Sequence, residues 1–444
     1  MKKYFYQEKK TLFGNSSYRL LTPGTLEMLN SDGREPLVSF QNVDVTYGSG
    51  AKKNKVIHDL SFNIYDGEVL SFVGESGSGK STTGSALAGL VSHSHGQIKI
   101  GDLVLPQNKN KIKGKLLQKL VGSVQMIFQD PLSSLNPFKN IFAVVSEGID
   151  NLEAQQKGVI KKIFFDNYNE TSFYNIVSML KKNQQINDEQ YQSLKSFYQQ
   201  IYEQNHSSVS HFLYDHIYSY LNSMGIQYPP IFFYLQQRVD ELKKFENATT
   251  NQLKYQLVLE LLASVGLDSS ILKRFPLEFS GGQQQRIGIS RALILKPKIL
   301  IADEPISALD VSIQAQIINI FKDLKEKYNL TILFISHDLR MVEYISDRIA
   351  VINRGRLLEI GPTKEIINNF VHPYTKSLIE AIPTIESQGG SLLGYVYNPA
   401  MHNYDENNQP EWLNLGNNHF VLATKEELRR WKSGDYSYEN KQTN

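Results

Sequence analysis

The sequence contains no cysteine, which excludes disulfides, thiol nucleophiles, thiolate zinc sites and cysteine-ligated iron–sulfur clusters. It also lacks an excess of either charge. Its 47 Lys+Arg against 45 Asp+Glu leave a formal net charge of +2, which argues against a chain-wide basic surface for nucleic acid. No run approaches the roughly 18 apolar residues needed to span a bilayer. The first ten residues carry lysines with no apolar stretch behind them. The chain is therefore expected in the cytosol unless a partner holds it at a membrane. What it does have is length and apolar content: 444 residues, 41% hydrophobic, enough to bury the cores of roughly two to three domains.

Residues 1–36 are polar and read as a mobile lead-in. From Leu37 to Tyr47, and again from Val56 to Ile64, apolar and polar residues alternate as in half-buried strands. Val69–Val73 is a continuous apolar run ending at Gly74, the pattern of a buried parallel strand. Helical spacing over Lys80–Leu90, strand-like Gln97–Leu105, a basic helix near Lys111–Leu120 and apolar Val124–Phe128 follow. Residues 151–250 differ: rich in Tyr, Phe, Gln and Asn, they hold only Gly158 and Gly225 as glycines, and so few breakers predict helices. No apolar heptad persists there long enough for a coiled coil. Beyond them the pattern predicts a helix over Leu253–Val265, another after Gly282, a strand Lys298–Ala302, a helix Val311–Lys327, a strand Thr331–Ile335 and a hairpin through Arg354-Gly355. Residues 384–444, with Gly389-Gly390, read as an appended, partly irregular segment.

Three motifs carry chemistry. Gly74-Glu-Ser76-Gly77-Ser-Gly79-Lys80-Ser81-Thr82 lies between a predicted strand and a predicted helix, the context a P-loop requires. Its glycines let backbone N–H groups turn onto phosphate oxygens in front of a helix N-terminus. Lys80 supplies a charge to the β- and γ-phosphates, and the Ser81 hydroxyl ligates Mg²⁺. Ile299–Glu304 is an apolar strand delivering two acids to its end, as in a Walker B motif. Asp303 would hold the Mg²⁺ shell. Glu304, pointing the other way by strand alternation, is expected to polarise the attacking water. Phe279-Ser280-Gly281-Gly282-Gln283 precedes a helix and makes a second candidate anion site. Alone it reads rather as an ordinary Ser N-cap with glycines. In a chain with one P-loop, a simple use for it is to cover a nucleotide held by a partner in a head-to-tail pair.

These residues resemble the ABC ATPases. Phe279–Gln283 resembles their signature motif, with Phe where Leu is usual. Gln129 resembles the Q-loop glutamine, which the resemblance implies senses Mg²⁺ and water and contacts a membrane partner. Ser307-Ala-Leu-Asp310 resembles the D-loop, His337 the switch histidine near the γ-phosphate, and Tyr47 the aromatic that stacks on adenine. Gln129–Pro137, Ser307–Gln316 and His372-Pro-Tyr-Thr-Lys-Ser-Leu-Ile379 narrow the resemblance to the ATPase subunits of oligopeptide and dipeptide permeases, and Asp310-Val-Ser-Ile-Gln is most similar to the F-type subunits. The resemblance covers about 37–150 and 251–383, with a weaker match near Asn417–Ala423.

The resemblance implies an α/β P-loop NTPase fold: a RecA-like parallel sheet, an antiparallel β subdomain and an α-helical signature subdomain. It implies an ATPase domain over 37–383 and a permease-type extension over 384–444. It implies ATP and Mg²⁺ as cofactors, the latter on Ser81, Gln129 and Asp303. Expected partners are a second, non-identical ATPase subunit, two membrane-spanning permease subunits and an external peptide-binding protein, with no nucleic acid. The chain would then sit peripherally on the cytoplasmic side of the cell membrane and drive oligopeptide uptake. Import of dipeptide, nickel or another solute by the same motor stays open, and a soluble ABC ATPase acting on nucleic acid or ribosomes is the rival of another class.

Two departures matter. Without cysteine the chain cannot carry the C-terminal iron–sulfur cluster of some relatives. In addition, Ser280 lies 151 positions beyond Gln129, roughly double what the resemblance implies. The excess is the Tyr-rich stretch at about 151–250, read as a tolerated insertion, with a regulatory or partner-docking role as the alternative. His93 and His95 are expected in a solvated turn rather than on a metal. His206, His211 and His216, five apart, do not share a helical face.

Overall fold

Five consecutive residues, Val69–Val73, are all buried, and the sheet is built around them. The computed structural model describes residues 8–10, 17–19, 21–48, 52–155, 157–204, 216–245, 247–381, 395–402, 404–405 and 407–437. Gly389-Gly390, His206 and His211 lie outside the described residues. In chain order the strands are β1 (Glu8–Lys10), β2 (Ser17–Arg19), β3 (Pro36–Tyr47), β4 (Asn54–Tyr65), β5 (Val69–Val73), β6 (His95–Ile100) and β7 (Leu103–Val104). There follow β8 (Val124–Ile127), β9 (Ile299–Asp303), β10 (Thr331–Ile335), β11 (Arg348–Asn353), β12 (Arg356–Pro362), β13 (Glu411–Gly416) and β14 (His419–Ala423).

The helices are α1 (Thr25–Asn30), α2 (Lys80–Leu87), α3 (Lys115–Ser123), α4 (Pro131–Ser134), α5 (Ile141–Gln155), α6 (Val159–Lys182), α7 (Asp188–Gln204) and α8 (Tyr218–Ser223). They continue with α9 (Pro229–Lys243), α10 (Thr250–Ser264), α11 (Gly281–Leu293), α12 (Val311–Tyr328), α13 (Leu339–Ile345), α14 (Thr363–Asn368), α15 (Pro373–Glu380) and α16 (Lys425–Lys432). Among the described residues, no helix is long and apolar enough to cross a membrane.

Two compact units emerge. The first comprises Met1–Gln129, Ile299–Ser307 and Thr331–Asn444. Its main sheet runs β13-β14-β12-β11-β5-β10-β9-β8. The five strands from β11 to β8 are parallel, and β12, β14 and β13 continue the sheet antiparallel. The parallel strands end in register, with Ile335 beside both Phe72 and Asp303. Loops after β5, β8, β9 and β10 therefore leave one edge together, where α/β sheets bind ligands. A separate antiparallel sheet, β4-β3-β6-β7, matches the alternation read from Leu37 and Val56.

The lead-in and the C-terminal segment are more ordered than their composition predicts. Residues 25–30 form α1, because Met28 and Leu29 are buried and Pro23 O accepts the Trp412 N–H at 2.8 Å. The C-terminal hairpin β13–β14 extends the main sheet, and α16 closes it with a Thr424–Glu427 capping box and a buried Trp431. The basic helix near Lys111–Leu120 starts only at Lys115, since Gly114 takes φ 55°. His93 is not in a solvated turn: its ring is buried, and the loop is fixed by its N–H on Gln107 O at 3.0 Å.

The second unit, Asp130–Lys298 with Ala308–Leu330, is helical. In α6 the residues Ile160, Phe164, Tyr168, Ser172, Ile176 and Leu180 recur every fourth position and are all buried, one stripe of a 3.6-residue helix. Gly158, in the left-handed conformation, starts this helix, and Lys181 and Lys182 sit in its last turn. Phe173, Ile176, Leu180, Leu194, Tyr198, Leu221, Ile231 and Leu235 form a core drawn from α6 to α9. Each large aliphatic side chain so buried contributes roughly 2 kcal/mol of transfer free energy.

Candidate functional site

The site begins where β5 ends. Gly74 has φ 152°, and a Cβ there would lie 2.0 Å from Ile352 O, so the loop leaves the strand only with glycine at this position. Arg354 and Gly355, both with positive φ, close the β11–β12 hairpin read from the sequence. Gly355 N–H donates to Ser78 O at 2.7 Å, which pins the P-loop from outside. Gly79 then opens α2, with Thr83 Oγ1 capping it back onto Gly79 O at 3.0 Å. Ser76 and Gly77 are exposed at the tip, and Thr82 lies one residue into the helix from Ser81.

Lys80 is buried, and its ammonium donates to Gly74 O at 2.7 Å and Glu75 O at 2.9 Å. Burial lowers its pKa, opposed by the nearby carboxyls of Glu304, Asp303 and Glu75. Ser81 Oγ donates to Asp303 Oδ1 at 2.7 Å, joining the P-loop helix to the end of β9. Burial raises the Asp303 pKa, while the Ser81 hydroxyl lowers it. Ser81 and Asp303 present hard oxygens side by side, a set that suits Mg²⁺ when phosphate oxygens complete the shell. Among the described residues no three His, Cys, Asp or Glu side chains group as a self-sufficient metal site.

Glu304 corrects one expectation. Its side chain is not aimed by strand alternation, because β9 stops at Asp303 and Glu304 has φ 44°. A left-handed turn swings it, fixed by Glu304 N–H on Ile335 O at 2.9 Å. Its carboxyl group becomes the meeting point of the edge. Gln129 Nε2 donates to Glu304 Oε2 at 3.1 Å, and His337 Nδ1 lies 3.6 Å from the same oxygen. The His337 side chain is 56% exposed, free to face a ligand. Tyr47 ends β3 with 43% of its surface exposed. The loops after β5, β8, β9 and β10 thus bring Lys80, Ser81, Gln129, Asp303, Glu304 and His337 to one edge.

In the helical unit, Ser280 caps α11 through a reciprocal box: Gln283 Oε1 accepts Ser280 N–H at 3.1 Å and Ser280 Oγ accepts Gln283 N–H at 3.4 Å. Gly281 is exposed, and Gly282 packs where a Cβ would meet Ile313 Cγ2 at 2.5 Å. Phe279 is buried under the Arg274 guanidinium at 4.3 Å, which explains why Phe fits this position. Asp310 caps α12, accepting from Ile313 N–H and Ser312 Oγ; those bonds lower its pKa. Sequence reasoning missed Tyr374, whose hydroxyl touches the P-loop backbone. Its signal was the His-Pro-Tyr-Thr run, noted only as a mark of resemblance.

Comparison with known proteins fits this geometry. The family described as "ABC transporter" matches residues 57–307, and "Oligopeptide/dipeptide transporter, C-terminal region" matches 358–405. The Streptococcus mutans oligopeptide transport ATP-binding protein OppF is 36% identical over 90% of this chain and 99% of its own length. OppF of Streptococcus pyogenes serotype M1 is 33% identical over 90% of this chain and 98% of its own. The Lactococcus lactis dipeptide transport ATP-binding protein DppF is 34% identical over 89% of this chain and 96% of its own. The chain belongs to the ABC transporter family, among its oligopeptide and dipeptide transport ATP-binding proteins.

Proposed function

We propose that the chain is the ATP-hydrolysing motor subunit of an oligopeptide importer, held peripherally at the cytoplasmic face of the cell membrane. The observation that carries the reading is the convergence of Gln129 and His337 on Glu304, beside the Ser81–Asp303 pair at the same sheet edge. ATP lies with its phosphates in the Gly74–Thr82 loop and its adenine against Tyr47. Lys80 keeps the Gly74 and Glu75 carbonyls as acceptors and turns its remaining N–H to the β- and γ-phosphates. Glu304 accepts a proton from the attacking water, while Gln129 and His337 hold that water and the γ-phosphate in line. Ser81 and Asp303 would hold Mg²⁺, with Gln129 at its shell, and the ion would supply positive charge against the phosphates.

The second half of each site comes from a partner. Ser280–Gln283 of one ATPase subunit covers the nucleotide of another, a non-identical relative, and Asp310 lies in the turn that follows Glu304 towards this interface. ATP favours the closed pair, and hydrolysis removes the phosphate that bridged it. Two membrane-spanning subunits convert closure into transport, and an external binding protein selects the peptide. The OppF relatives support oligopeptide as cargo; the similarity to DppF supports dipeptide as a second reading.

The test is co-purification from membranes, followed by ATPase assay with and without peptide-loaded binding protein. Stimulation by oligopeptide, not dipeptide, is expected. Failure to recover two membrane subunits would remove the importer reading.

A further inference from the structure

Glu75 N–H and Gly74 C=O belong to one peptide group, trans and planar, so they point to opposite sides and move together. On one side Gly74 O accepts the Lys80 ammonium at 2.7 Å. On the other, Glu75 N–H donates to Tyr374 Oη at 2.8 Å. The Tyr374 ring is fully buried, so its hydroxyl cannot swing to solvent. The start of α15 is fixed in turn. His372 Nδ1 accepts Tyr374 N–H at 3.0 Å, capping the helix. Glu359, fully buried on β12, accepts from Val371 N–H at 2.8 Å, His372 N–H at 3.2 Å, the Thr375 hydroxyl, and His419 Nε2 at 2.8 Å. This anchorage reaches from β12 and the C-terminal hairpin to the phosphate loop.

We propose that Tyr374 is a positioning residue for Lys80, acting through the Gly74–Glu75 peptide group. The inference rests on the reading of Lys80 as the phosphate-binding lysine. With the hydroxyl in place, the peptide keeps its carbonyl aimed at the ammonium, and Lys80 is presented to the phosphates in a set direction. Without it, Glu75 N–H turns toward water, the peptide rotates, and the lysine loses one of its three acceptors, Gly74 O, leaving Glu75 O and the more distant Ser78 Oγ at 3.5 Å. One hydrogen bond of this kind corresponds to about threefold to tenfold in affinity.

The experiment compares Tyr374→Phe with Tyr395→Phe in the full chain. Tyr395 is also C-terminal, but its hydroxyl bonds Tyr436 O at 3.2 Å, away from the loop. Affinity is read by titration with a fluorescent trinitrophenyl analogue of ATP, KM and kcat by steady-state ATPase assay, and folding by thermal melting. The expected result for Tyr374→Phe is three- to tenfold weaker nucleotide binding, KM rising in step, kcat within twofold and an unchanged melting curve. Tyr395→Phe should match wild type. Affinity within twofold of wild type in Tyr374→Phe overturns the proposal. So does a fall in kcat at unchanged KM, or equal weakening in both variants. A Lys80→Ala chain binding with wild-type affinity would sink the P-loop reading itself, whereas an intact Tyr374→Phe beside a defective Lys80→Ala sinks only the role of the tyrosine.

Discussion

The edge of the parallel sheet and the helical insertion use burial for opposite ends. At the sheet edge Lys80 and Asp303 are buried polar groups with named partners, and Glu359 behind them accepts four hydrogen bonds. Among the described residues between Phe173 and Leu235 the buried side chains are aliphatic and aromatic, such as the Phe173–Tyr198 stack at 4.2 Å. A polar group in a low-dielectric setting must keep its partners, and its geometry is demanding. An apolar core tolerates exchange as long as volume is kept. The first arrangement suits chemistry and the second suits shape, so the two should respond differently to substitution.

The largest contrast comes from Lys80→Ala, which should weaken ATP binding on the order of a hundredfold or more while leaving the melting curve close to wild type. Unchanged affinity in equilibrium titration would remove the sheet edge as the nucleotide site. Glu304→Gln keeps the size of the side chain, and ATP should still bind while turnover drops about 10²- to 10³-fold. Hydrolysis near the wild-type rate would show that another group activates the water.

Phe173→Ala inverts the pattern. It should destabilise the insertion by about 3–5 kcal/mol, read by denaturant unfolding, with KM for ATP unaltered. A parallel loss of nucleotide affinity would mean that the two regions are not independent.

His372 offers a pH test. Its ring is fully buried, and burial with the neighbouring His402 holds its pKa well below the ordinary 6.5. The unfolded chain takes up a proton below about pH 6.5 that the folded ring refuses. Stability is therefore present above that pH and lost as pH falls, at up to about 1.4 kcal/mol per pH unit. His372→Asn keeps a capping acceptor and should flatten this acid limb. An identical slope between pH 7 and 5 would place the titration elsewhere. The smallest effect belongs to Phe279→Leu: a volume-conserving change under Arg274 should alter ATPase activity by less than about twofold.

What could be read in advance divides along the same line. The P-loop, the acids after Ile299–Ala302 and the parallel strands were legible because glycine spacing and continuous apolar runs are local signals. The left-handed turn at Glu304 was not, since strand alternation gives no sign of where a strand stops. Tyr374 and Glu359 were hidden for another reason. Their partners lie far off in sequence, with Tyr374 299 positions beyond Glu75, and no pattern announces such a pair. Composition reads 21–35 as part of a mobile lead-in and 411–437 as part of a partly irregular segment, whereas Trp412 and the β13–β14 hairpin supply a tertiary reason for structure in both.

Strand β5 is flanked by β10 and β11, whose residues leave the ribosome long after its own. Val69 must wait for Ile332, and the insertion adds roughly a hundred residues to that delay. The entropic cost of the longer loop is only about 0.4 kcal/mol, since closure grows with the logarithm of length. Moreover, an insertion that assembles its own aromatic core early shortens the flexible path. Extra chain can therefore be carried within the nucleotide-binding fold at little cost, but a nascent chain cannot complete its phosphate loop until Gly355 and Tyr374 have been made. The exposed, half-built sheet makes that interval the one in which misassembly is most probable.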